Sequence, residues 1–299
     1  MSMELTEIEA FVKIAECGSF TRAATLLHIS QPAISRRIEL LERDLEAPLF
    51  ERLPGGARLT AGGEVFLPFA QRILADVRDG MAAVRDLKSG DRGSVSLAIV
   101  GTLASTTLLR RLTSFRADYP GVRMALRTAN SNEVGRLVRT GEAQLGLRYF
   151  EDASPGLQSV LVARERLVIV GAQGSTLVSG DATNALDLAG VPWVSFPVGT
   201  GSSGEPFARE MDRSLVGMGL ADAERIVIDS LTAQKRMIEA DFGIGMVLKS
   251  AVSEEMRLGT LRLIDIDGFE ASAPVHLVRR TGGYESGASR TLIALLTGP

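Results

Sequence analysis

The chain has 299 residues, more than one compact core usually holds, so at least two domains are expected. Hydrophobic residues make up 45% and charged residues 23%, with a formal net charge of −3, a composition that excludes a disordered or fibrous chain. A single cysteine, Cys17, excludes an internal disulfide framework, and two histidines far apart, His28 and His276, leave little for a structural zinc site.

Residues 4–59 carry short helical patterns. Leu5, Ile8, Phe11, Val12 and Ala15 recur at three- and four-residue spacing, which predicts one apolar helical face ending at Gly18. A second short helix is expected over 21–27, with small residues at Ala23 and Ala24. Ser30 before Gln31-Pro32 has the form of a helix start, a side-chain cap followed by a proline in the first turn. The third helix then runs through Ile34, Ile38, Leu41 and Leu45. Pro54-Gly55-Gly56 makes a tight turn between extended pieces at 49–53 and 57–60. From residue 60 to about 89, Phe66, Phe69, Ile73, Val77, Met81 and Val84 form one stripe. It predicts a helix of ~29 residues, about 43 Å long, with Pro68 able to kink it. A partner helix in a dimer would cover this stripe, or an intramolecular core would. Ser89-Gly90-Asp91-Arg92-Gly93 reads as a linker.

After Gly93 the pattern alternates between strand and helix. Strands are expected at 95–100, 122–127 and 143–149, with helices at 103–119 and 132–140. A second set follows: strands at 167–170, 193–196, 225–228 and 243–248, with helices after Gly204 and Ser230. A strand at 275–280 and a helix at 288–296 close the chain and can return to the first sheet. Such alternation implies parallel sheets covered on both faces. Two lobes of this kind leave a cleft in which a ligand meets strand carboxyl ends.

Overall charge decides nothing about nucleic acid: residues 1–60 hold seven bases and nine acids. Their distribution says more, because Arg22, Arg36 and Arg37 lie between Cys17 and Ile38 with no acid among them, a local strip able to meet phosphate. Ala23 and Ala24 allow two helices to cross closely, and Leu27, Ile29, Ile34 and Ile38 supply the seam. Gln31, Pro32, Ser35 and Arg36 then fall on the opposite face of the third helix's first turns, where a recognition helix presents its groups to base edges. A plain three-helix bundle with a solvated face is the alternative.

The stretch from Gly18 to Ile38, continued by Leu40-Leu41-Glu42-Arg43-Asp44-Leu45-Glu46-Ala47-Pro48-Leu49-Phe50-Glu51-Arg52 and Leu59-Thr60-Ala61-Gly62-Gly63, resembles the LysR-type transcriptional regulators. The likeness is dense over 5–63, about a fifth of the chain, and the remainder agrees in layout. It implies a winged helix-turn-helix DNA-binding domain at 1–60 and a linker and dimerisation helix at 61–90. An effector-binding domain resembling the periplasmic binding proteins would fill 91–299, with lobe I near 91–162 and 268–299 and lobe II near 163–267. It also implies DNA contacts at Thr21, Gln31, Pro32, Ser35, Arg36 and Arg37, with Arg52 as the wing arginine. Pro54-Gly55-Gly56 stands where relatives often carry a basic wing tip. The implied protein binds duplex promoter DNA and a small-molecule effector, a small organic acid. It pairs through its linker helices and assembles further into a homotetramer, and RNA polymerase is a partner the resemblance admits.

In the cleft, Gly101-Thr102-Leu103-Ala104-Ser105 joins strand to helix, so free N–H groups and the Thr102 hydroxyl can face a bound anion. Asn130-Ser131-Asn132, Ser195-Phe196-Pro197 and Asp229-Ser230 stand at comparable junctions, each of which could equally be an ordinary helix cap. Thr102, Leu103, Ser131, Phe196 and Ser230 are the effector-binding candidates. Arg148 can pair with a ligand carboxylate or with Glu151 or Asp152. Gln144 stands where relatives usually carry aspartate.

Other chemistry has little to stand on. Gly199-Thr200-Gly201-Ser202-Ser203-Gly204 fits GxGxxG, but no strand with a correctly placed acid follows it, so a cleft loop explains it better than nucleotide binding. Cys17 lacks a resolving cysteine and reads as structural rather than redox-active. His28 suits packing or a phosphate contact, and His276 a strand. No paired carboxylates, nucleophile–base set or metal cluster is apparent, so neither catalysis nor a cofactor is expected. A transport solute-binding protein would fit the two lobes but not the helix-turn-helix. No apolar run approaches the ~18 residues of a bilayer span, and Met1-Ser2-Met3-Glu4 does not open a secretory leader, so a cytoplasmic, nucleoid-associated protein without membrane contact is expected.

Overall fold

The computed structural model describes residues 3–89, 93–105, 107–178, 184–197 and 206–298. The GxGxxG run at 199–204 and the centre of the expected linker lie outside the described residues. The chain divides into two compact units, the first built on Met1–Lys88 and the second on Ser89–Val138, Ala143–Thr281 and Glu285–Pro299.

The N-terminal unit opens with three helices, α1 (Leu5–Cys17), α2 (Phe20–Leu26) and α3 (Gln31–Leu45). Gly18 ends α1 in the left-handed region at φ 65°, where a glycine carries no steric cost. Ser19 caps α2 by accepting from the Arg22 N–H, and Ser30 caps α3 by accepting from the Ala33 N–H. Ile8, Phe11, Val12 and Ile14 meet Ala23, Ala24, Ile34, Ile38 and Leu41 in one buried cluster. A hairpin follows, β1 (Phe50–Leu53) paired antiparallel with β2 (Gly56–Leu59). Its Gly56 cannot be another residue without a shift, since a Cβ there would stand 2.7 Å from the Gly18 carbonyl oxygen. That same oxygen accepts from the Ala57 N–H at 2.7 Å, tying the hairpin to the α1–α2 corner. Phe50 packs at 5.3 Å from Phe11 and 5.6 Å from Phe20.

The long helix α4 (Ala61–Ser89) contains Pro68 in its early turns. Ala70 and Leu74 join the N-terminal core, and Phe66 packs against it. Val65, Phe69, Ile73, Val77, Met81, Val84 and Leu87 remain exposed in the single chain.

The C-terminal unit begins with β3 (Ser94–Val100), a 3₁₀ turn (Gly101–Ser105), α5 (Thr107–Asp118), β4 (Arg123–Ala129), α6 (Ser131–Arg139), β5 (Leu145–Tyr149) and β6 (Leu157–Ala172). It continues with β7 (Trp193–Ser195), α7 (Pro206–Gly217), β8 (Arg225–Val227), α8 (Leu231–Glu239) and β9 (Gly245–Leu248). The last elements are α9 (Ser253–Leu258), β10 (Leu261–Ile264), β11 (Ala271–Arg280) and α10 (Gly287–Thr297). The main sheet runs β10-β6-β11-β5-β3-β4, with β9 also on β6.

Purely parallel sheets, expected from the alternation, are not what forms. β3 is parallel to β4 and β5, and β7 to β8, but β11 runs antiparallel to β5 and β6, and β6 antiparallel to β9 and β10. The cause is β6, which is 16 residues long rather than the short apolar piece at 167–170. Its first half pairs with β11 and its second with β9 and β10, so one strand serves both halves of the unit. A register shift between Val275 and His276 marks the change in β11. The helix expected at 103–119 likewise divides into the 3₁₀ turn and α5.

Candidate nucleic-acid interface and effector cavity

The spacing of apolar residues sets the orientation of α3. Ile34, Ile38 and Leu41 are 2% exposed or less, which turns the helix's first-turn polar residues outward. Gln31, Pro32 and Arg36 are exposed and Ser35 is half-buried. The Gln31 Nε2 donates to the Ser35 Oγ at 3.1 Å, holding these two side chains together on the surface. Arg36 reaches only a loose 3.7 Å pair with Glu39, both exposed, so its guanidinium is available to a partner. Arg37, half-buried, and Thr21, exposed on the first turn of α2, complete the surface. His28 sits at φ 56° in the tight turn between α2 and α3 and is exposed.

In the hairpin, Arg52 lies over the Phe20 ring at 4.8 Å. A guanidinium stacked in this way keeps in-plane N–H donors for a phosphate or a groove edge. Arg58 differs: it pairs with its cross-strand neighbour Glu51 at 2.7 Å, and that hydrogen bond raises its pKa above the ordinary value. Cys17 is half-buried and its thiol donates to the Ser19 carbonyl at 3.2 Å, as expected of a packed thiol.

The C-terminal unit holds an open cavity of about 500 Å³. Strand carboxyl ends build much of it: Val100 from β3, Thr128 and Ala129 from β4, and Tyr149 from β5. Phe196 and Pro197, just past β7, and Phe207 of α7 form another wall, with Asp229 and Leu231 at the start of α8. The Thr102 and Tyr149 hydroxyls lie 2.6 Å apart, and the Tyr149 and Phe207 rings stack at 4.7 Å. Among the described residues no group of three His, Cys, Asp or Glu side chains could hold a metal ion, and no helix is long and apolar enough to cross a membrane.

Residues 5–64 match the family described as "Bacterial regulatory helix-turn-helix protein, lysR family", and residues 88–298 match "LysR substrate binding domain". The chain belongs to the LysR family. It is a DNA-binding transcriptional regulator with an effector-binding domain, as the sequence resemblance implies. Among its relatives, the HTH-type transcriptional regulator TfdT of Cupriavidus pinatubonensis is 32% identical over 197 residues, covering 66% of this chain and 86% of that protein. The crystal structure of CbnR, a LysR family regulator, aligns with a TM-score of 0.62 at 26% identity over 98% of both chains. Full-length CbnR complexed with its target DNA aligns with a TM-score of 0.58 at the same identity and coverage.

Within this LysR-family chain the effector candidates divide. Thr102 and Phe196 line the cavity. Leu103, Ser131 and Ser230 are not among its described lining residues. Leu103 is 1% exposed and belongs to the hydrophobic core. Ser131 is fully buried at the start of α6. Ser230 caps α8, accepting from the Ala233 N–H, the ordinary role for a serine there. Arg148 does not line the cavity either; it forms a buried ion pair with Asp152. Gln144 Oε1 accepts from the Ser96 N–H at 3.1 Å, binding β3 to the chain entering β5.

Tyr149, Phe207 and Thr128 were not singled out from the sequence. For Tyr149 and Thr128 the signal was present, since both stand at carboxyl ends of strands of the main sheet. Phe207 carries no local mark and reaches the cavity only because α7 packs there.

Proposed function

We propose that the first turns of α3 enter the DNA major groove, with Gln31, Pro32, Ser35 and Arg36 at base edges or backbone and Arg37 on phosphate. Thr21 adds a backbone contact from α2, and Arg52 serves the wing beside the minor groove. The observation that carries this reading is the outward face of α3: an exposed Gln31–Ser35 pair beside a weakly engaged Arg36, over a fully buried Ile34, Ile38 and Leu41. The exposed stripe of α4 supports a homodimer through paired linker helices, and the effector domains would extend it to a homotetramer. A small molecule in the cavity, between a lobe I at 91–162 and 268–299 and a lobe II at 163–267, would change the angle of the lobes. That change would alter the spacing of the DNA-binding heads. The protein acts in the cytoplasm, on promoter DNA and with RNA polymerase, and catalyses no reaction.

A mobility-shift titration with DNA from upstream of its own coding region tests this. Saturable, salt-sensitive binding well above that to bulk DNA is expected. Binding no tighter than to bulk DNA, in every ligand state tried, contradicts the proposal.

A further inference from the structure

The cavity's chemistry departs from the small organic acid that the family resemblance implies. Among its described lining residues there is no Lys, Arg or His, and the one charged group is the Asp229 carboxylate. Asp229 is exposed and makes no hydrogen bond or ion pair among the described residues. A ligand carboxylate placed beside it would meet a like charge with no cation to offset it.

At the starts of α6 and α8 the side-chain oxygens are engaged within the chain. Asn130 Oδ1 already accepts from the Glu133 N–H at 2.9 Å, and Ser230 Oγ accepts from the Ala233 N–H at 3.4 Å. Asp229 itself stands immediately before α8, so the positive end of that helix dipole already has an acid beside it.

A second acceptor lies deeper. Gln234 is fully buried beside a crevice too narrow for a water molecule, which shares Thr102, Phe196, Phe207 and Leu231 with the main cavity. Its Nε2 donates to the Val194 carbonyl at 2.8 Å, which fixes the amide so that Oε1 is the remaining acceptor, and Oε1 has no partner among the described residues. The remaining wall is aromatic: Tyr149, Phe196 and Phe207. Aromatic faces with a carboxylate and no competing cation favour a positively charged group.

We propose that the effector of this regulator carries an ammonium group, held by Asp229, on an aromatic or apolar body seated against Tyr149, Phe196 and Phe207. The inference rests on the reading of the cavity as the effector site. The test is a thermal-shift titration of the full chain with three probes of similar size, phenethylamine, phenylethanol and phenylpropanoate, in excess. Phenethylamine is expected to give the largest saturable rise in Tm. Asp229→Asn, which removes a charge but no internal contact, is expected to weaken that response by roughly tenfold or more. A larger shift from phenylpropanoate, or an amine shift undiminished in Asp229→Asn, overturns the ammonium assignment while leaving the cavity an effector site. A flat response to all three overturns it as well. Gly101→Phe tests the cavity separately, because a side chain at Gly101 projects into open space at the wall. An amine shift that survives this substitution places the ligand elsewhere and removes both readings.

Discussion

In the N-terminal unit the polar groups of α3 face outward, with Ile34, Ile38 and Leu41 packed behind them. In the C-terminal unit the polar groups Thr102 and Tyr149 turn inward, around a cavity of about 500 Å³ whose walls come from strands and helices far apart in sequence. The first arrangement suits a long, charged partner that cannot be enclosed. The second suits a small one that must be desolvated to be recognised. A surface of the first kind is fixed by one helix and its cap, whereas a cavity of the second kind exists only once β6 and β11 have brought both halves of the sheet together.

The largest expected effect concerns whether these two regions fold independently. Ile38→Ala empties a fully packed site and should cost about 2–5 kcal/mol. Trp193 is the chain's one tryptophan and is buried in the C-terminal unit, so its fluorescence isolates that unit. Denaturant titration should show an earlier transition by circular dichroism and an unmoved one by fluorescence; a common shift would join the two units into one cooperative block. Next, Arg37→Ala should weaken binding to all DNA sequences alike and reduce the salt slope by about one. Sequence-selective loss would move Arg37 to a base edge. In the cavity, Thr102→Val removes the hydroxyl that meets Tyr149. The half-saturating effector concentration should change several-fold, for about 0.5–1.5 kcal/mol, read as the effector dependence of DNA binding.

The smallest effect is on pH. Burial lowers the His276 pKa below its ordinary value, against an opposing pull from Glu151. The unfolded chain therefore takes up the proton first as pH falls, and stability declines from the ordinary histidine range downward. His276→Gln should flatten that slope in the C-terminal unit, measured as fluorescence-detected stability against pH.

Legibility in the sequence followed the same division. The helix-turn-helix was readable because its signals are local: Ser30 and Pro32 start α3, Ala23 and Ala24 permit the crossing, and the apolar spacing orients the helix. The stripe of α4 was equally plain, and only its first turns needed the structure to show which residues join the core. Most of β6 was not legible, since residues 157–166 mix half-buried and exposed positions without a regular period and carry charges at Arg164, Glu165 and Arg166, unlike the apolar run that follows. Without it, the antiparallel pairing of β11 could not be deduced. Leu103, Ser131 and Ser230 stand at strand–helix junctions, and a junction serves packing and capping as well as a ligand. Phe207 enters by tertiary packing alone.

The central claim is that the outward face of α3 reads duplex sequence. The most direct measurement is the affinity of Arg36→Ala for the operator and for bulk DNA, at fixed salt, beside its thermal stability. The account expects operator binding to weaken by about 1–3 kcal/mol, with bulk binding much less affected and Tm unchanged. Full operator affinity in a folded Arg36→Ala protein would contradict it.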